Sequence, residues 1–61
     1  LLAMFRFFLE RQNDGSTEYS SVSAHKWRCD AAGNYALFDE RGKVIQTLNI
    51  GEVVSVESVN G

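Results

Sequence analysis

The sequence predicts an all-β fold: a small antiparallel meander of five or six strands, partly closed in the manner of an SH3-like barrel. Three observations lead there. Glycines fall at 33, 42 and 51, nine residues apart, with Gly15 two periods upstream. The segments between them are rich in aromatic and β-branched residues, and short strands returning about every 8–12 residues between turn signals mark compact antiparallel domains. The turns also repeat in chemistry. Asp30-Ala31-Ala32-Gly33-Asn34 and Asp39-Glu40-Arg41-Gly42-Lys43 each set an aspartate, two residues suited to a type I turn, then a glycine for the left-handed position.

The first strand is expected over Ala3–Arg11. Side chains alternate with period two, so Phe5, Phe7 and Leu9 share one face and Met4, Arg6, Phe8 and Glu10 the other. Asn13-Asp14-Gly15-Ser16 is a hairpin signal. A three-residue loop would set Glu10 against Glu18, whereas a two-residue Asp14-Gly15 loop sets Arg11 against Glu18. Opposed charges across strands help and like charges hurt by about 0.2–1 kcal/mol, which selects the shorter loop. That register faces Phe7 with Val22 and Phe5 with Ala24. The second strand is expected over Thr17–Ser23. A helix over Thr17–Lys26 competes with it, because Tyr19, Val22 and Lys26 share a helical face.

A meander is expected to follow. His25–Asp30 reads as a strand with His25, Trp27 and Cys29 on one side and Lys26 and Arg28 on the other. The same bulged register in both aspartate turns aligns three strands. It predicts rows of Trp27, Leu37 and Ile45, then Cys29, Tyr35 and Thr47, with Arg28, Ala36 and Gln46 on the reverse face. Phe38 and Val44 pair on that reverse face. Asn49-Ile50-Gly51-Glu52 leads to a last strand, Val53–Val59, whose hairpin register with the preceding strand stays open. The expected core is Phe5, Phe7, Leu9, Val22, Trp27, Cys29, Tyr35, Leu37, Ile45 and Val56.

Sixty-one residues make one small domain, a size at which disulfides, metals or a second subunit commonly add stability. The single cysteine, Cys29, excludes an internal disulfide, and one His with one Cys cannot complete a four-ligand zinc site. No cofactor is expected. The formal charge of -2 supplies no general attraction to nucleic acid or anionic membrane, and no apolar run approaches the roughly 20 residues of a membrane span. Leu1–Leu9 is apolar but interrupted by Arg6, with no small-residue cleavage site after it, so it does not read as a signal peptide. An unpaired cysteine suits a reducing compartment, which suggests the cytoplasm.

Candidate chemistry is sparse. His25 and Cys29 would stand roughly 13 Å apart along a strand, too far for a nucleophile and its base, and Cys29 reads as a small buried hydrophobe. Asp14, Asp30, Asp39 and Glu40 sit in turns, where aspartate caps backbone amides. Glu52 and Glu57 read as solvated, with Lys43 as a partner. No enzyme constellation results. The apolar residues on reverse faces, Phe8, Phe38 and Val44, fit either burial by closure of the sheet or a patch for a partner. With Lys26 and Arg28 they form the candidate binding set. The expected function is a non-enzymatic binding or assembly module working through a sheet edge or apolar patch, with a protein partner or a second copy of itself. The alternative is a nucleic-acid-binding small barrel using Lys26, Arg28 and exposed aromatics. In layout the chain is similar to small β-meander proteins of phages and mobile elements, a likeness without a motif that transfers function.

Overall fold

A computed structural model describes residues 3–60. Six antiparallel strands form two three-stranded sheets, and no helix occurs among the described residues. The strands are β1 (Ala3–Asn13), β2 (Ser16–Ala24), β3 (Lys26–Cys29), β4 (Tyr35–Phe38), β5 (Val44–Leu48) and β6 (Val53–Asn60). One sheet runs β2-β1-β6 and the other β3-β4-β5. The alternative helix over Thr17–Lys26 is thereby corrected: most of that stretch is the extended strand β2.

The first hairpin has the two-residue loop that the charges select. Arg11 faces Glu18, Phe7 faces Val22 and Phe5 faces Ala24. Asp14 and Gly15 both take positive φ, 49° and 80°, as the favoured two-residue hairpin turn requires. The two aspartate turns also share one geometry. Asp30 Oδ1 accepts from the amides of Ala32 and Asn34, and Asp39 Oδ1 from those of Arg41 and Lys43, all at 2.8–2.9 Å. Trp27 consequently faces Leu37, and Cys29 faces Tyr35.

Two expectations about connectivity are corrected. The meander ends at β5, because β6 pairs with β1 rather than with β5. The sheets stay open and do not close into a barrel. β1 is apolar on both sides (Phe5, Phe7 and Leu9 on one, Met4 and Phe8 on the other), and the central position in a sheet covers more of such a strand than an edge does. Its two neighbours are thus β2 and β6, so the first strand of the chain is central in its sheet and the last lies at an edge. The acidic residues of the β6 region follow β1: Glu57 pairs with Arg6 at 3.5 Å and Glu52 with Arg11 at 2.6 Å. Neither pairs with Lys43.

A third correction concerns β5. Phe38 faces Val44 as expected, but the register shifts next to this pair, so that Leu37 faces Gln46 and Tyr35 faces Leu48. Ile45 is the extra residue of a bulge, which reverses the inward and outward alternation beyond it. Leu48 is 1% exposed and Ile45 48%. Packing explains the choice: the bulge puts leucine rather than Thr47 beside Tyr35 in the interior.

The sheets bury their inner faces against each other. The fully enclosed core is Phe7, Leu9, Ala24, Leu37 and Leu48, flanked by Phe5, Val22, Tyr35 and Val53. Trp27 lies edge-on to Phe5 and Phe7, with ring centroids 6.4 and 5.9 Å away and planes near perpendicular, and tilts against Tyr35 at 5.6 Å. Such edge contacts suit the aromatic quadrupole. Because β3 is an outer strand, the indole still keeps 41% of its surface exposed. Cys29, on the same strand beside the turn, is exposed rather than buried. Ile45 and Val56 also leave the expected core, while Ala24, Leu48 and Val53 join it.

Candidate functional site

The outer face of β3-β4-β5 gathers four of the five candidate residues. Cross-strand pairing sets Lys26, Phe38 and Val44 in one row and Arg28, Ala36 and Thr47 in the next. Directly opposed residues in antiparallel strands point to the same side, so these six share one surface. Phe8 is elsewhere. It lies between Ser21 and Ser55 on the outer face of the other sheet, on a side that also carries the Arg6–Glu57 pair.

Two open depressions mark the β3-β4-β5 face. One, of about 240 Å³, is lined by Lys26, Trp27, Arg28, Phe38 and Gly42. The other, of about 110 Å³, is lined by Arg28, Asp30, Asn34, Tyr35, Ala36 and Thr47. Arg28 borders both. Val44 and Ile45 add exposed β-branched surface at the β5 edge.

Charge is divided unevenly along the chain. Residues 25–48 carry Lys26, Arg28, Arg41 and Lys43 against Asp30, Asp39 and Glu40, a net of +1. The remainder carries Arg6 and Arg11 against Glu10, Asp14, Glu18, Glu52 and Glu57, a net of -3. Both ion pairs among the described residues belong to this second group. Asp30 and Asp39 are engaged by turn amides, which leaves the four cations of the second sheet and its turns outside any ion pair among the described residues.

A third depression, of about 450 Å³, is lined by Glu10, Arg11, Gln12, Gly51 and Glu52. Arg11 Nε donates to Glu52 Oε2 and Asn49 Nδ2 to Glu52 Oε1. The hydrogen bond from Arg11 holds the Glu52 carboxyl below its ordinary value, reinforced by the guanidinium charge and by Asn49. The arrangement clasps the β1–β2 hairpin to the turn between β5 and β6. His25 and Cys29 engage separate backbone groups: His25 Nδ1 lies 3.0 Å from the Ala3 carbonyl, and the Cys29 thiol contacts the Asp30 carbonyl at 3.7 Å. No group of three metal-ligating side chains occurs among the described residues, and no helix there is long and apolar enough to cross a membrane.

Lys26, Arg28, Phe38 and Val44 were accessible to sequence reasoning because the aspartate turn fixes their phase. Ile45 and Thr47 were missed, since the bulge changes the phase after Val44. The available signal was Leu48: without a bulge, a leucine would face outward while Thr47 faced the core. No protein-family profile, no curated protein and no solved structure matches the chain.

Proposed function

We propose that this protein is a non-enzymatic binding or assembly module, taking a protein partner on the outer face of β3-β4-β5 and associating with itself through a sheet edge. One observation carries the reading. Among the described residues five side chains form the enclosed core, whereas eight large hydrophobics, Phe8, Tyr19, Trp27, Val44, Ile45, Ile50, Val54 and Val56, are exposed. So small a core with so much apolar surface outside it favours association. Sedimentation at rising concentration tests self-association. The expected result is growth of a dimer by the order of 100 μM, where an interaction of about 5.5 kcal/mol is half-formed. A sharp monomer throughout that range would remove the claim.

The unpaired cations support a second reading, a surface for single-stranded nucleic acid. Lys26 and Arg28 would hold phosphates while Phe38, on the same face, stacks a base. Small β-barrels often present such surfaces, and here an open sheet would do so. The discriminating measurement is oligonucleotide binding that weakens steeply with salt and is lost in Lys26→Ala/Arg28→Ala. Binding to protein alone, with no salt-sensitive oligonucleotide complex, discards this second reading.

A further inference from the structure

From the free edge of β6 we infer that two copies of this chain join through it, in antiparallel pairing centred on Val56, so that two three-stranded sheets become one of six strands. The inference rests on the self-association proposed above and names its surface.

The backbone direction follows from the ladder with β1. Glu10 N–H donates to the Glu52 carbonyl at 2.8 Å, so the even-numbered residues of β1 turn their amides and carbonyls toward β6. Phe8 faces Ser55, Arg6 faces Glu57 and Met4 faces Val59. In an antiparallel strand, alternate residues bond to opposite neighbours. Ser55, Glu57 and Val59 therefore bond inward to β1, while Val56 and Ser58 direct donors and acceptors to the open side.

That edge lacks the usual protection of proline or lysine. The other edges differ. β3 is four residues long and carries Lys26 and Arg28, and β5 is bulged at Ile45. The core-facing apolar residues of β2, Val22 and Ala24, are already half-buried and buried. On β6, core-facing Val56 stays 37% exposed.

Self-complementarity selects the register. Centring on Glu57 would oppose two carboxylates, which is unfavourable. Centring on Ser55 would draw the Val54 irregularity into the middle of the new ladder. Centring on Val56 places Val56 against Val56 of the second copy and Ser55 against its Glu57, hydroxyl donor to carboxylate acceptor. Because Val56 also faces Phe7 and Phe7 faces Val22, the inner-face row Val22, Phe7, Val56 then continues unbroken into the second copy.

The test uses the full chain. Val56→Lys and, independently, Ser58→Pro are each expected to raise the dimer dissociation constant at least about tenfold in sedimentation. The proline removes only an outward N–H and so leaves the β1 ladder intact. In a Cys29→Ser background, Val56→Cys is expected to form a disulfide dimer on mild oxidation. Ser58→Cys is not, because its copies would stand roughly 13 Å apart along the strands. In the unmodified chain, the Val56 and Ser58 amides should gain exchange protection as concentration rises. A dimer unaffected by either substitution, or cross-linked through Ser58→Cys instead, overturns the β6 edge and leaves self-association standing. A monomer at every concentration overturns both.

Discussion

Gly33, Gly42 and Gly51 are spaced alike in the sequence yet are not alike in the fold. Gly33 and Gly42 adopt φ of +89° and +83°, whereas Gly51 lies outside the positive region. A Cβ at Gly42 meets nothing within 4 Å, so Gly42→Ala isolates backbone strain. It is expected to cost about 1–2 kcal/mol. Gly51→Ala also meets open space and should leave stability unchanged or raise it by about 0.5 kcal/mol. Thermal unfolding compares the two directly, since 1 kcal/mol shifts the midpoint by roughly 4–8 °C in a domain this small. Equal losses would mean that the turn before β6 shares the bulged form of the other two. The aspartates show the complementary case: Asp30 and Asp39 repeat both spacing and geometry, because each carboxylate satisfies amides two and four residues onward.

Among the elements, β5 decides most about the candidate surface. The bulge at Ile45 turns Leu48 inward and leaves Val44 and Ile45 at the exposed edge. Leu48→Ala should therefore cost about 2–4 kcal/mol through lost burial and a residual cavity. Ile45→Ala should cost under about 1 kcal/mol. Denaturant titration of the pair measures this, and the opposite ranking would restore the unbulged register. The β1–β2 hairpin was legible to the residue, because Asp14-Gly15 and the Arg11–Glu18 pair agree on one alignment. β6 was legible as a strand but not in its partner. Val53–Val59 alternates well enough to line either neighbour, and the decision lay with β1, whose two apolar sides call for cover on both flanks.

At the scale of the whole molecule, two open sheets share one small interior, and polar clasps help to hold their ends. Arg11–Glu52 is such a clasp, and its linkage to pH has a definite sign. Glu52 is held below the ordinary carboxylate value of 4.5 in the folded protein. Its contribution is fully present above that value and is lost as pH falls through the lower, folded one. Thermal midpoints should thus decline on acidification below pH 4.5, less steeply in Arg11→Ala. An identical slope in that variant would show that other carboxylates dominate acid unfolding. The division of charge belongs to this scale too. The ion pairs at β1 and β6 neutralise the first sheet's arginines, while the cations of the second sheet stay available beside Phe38 and Val44.

The amino-acid order alone was enough for the β1–β2 and β3–β4 registers, the two aspartate turns and the placement of Lys26, Arg28, Phe38 and Val44 on one surface. These depend on near neighbours: a turn's conformation is set by four or five consecutive residues, and alternation then carries its phase along each strand. Packing between distant strands was needed to place β6 beside β1, to bulge Ile45 outward, to leave Trp27 half-covered and to turn Phe8 away from the other candidates. Each of those outcomes is a competition for burial among residues far apart in the chain, settled by which arrangement encloses Phe7, Leu37 and Leu48 together.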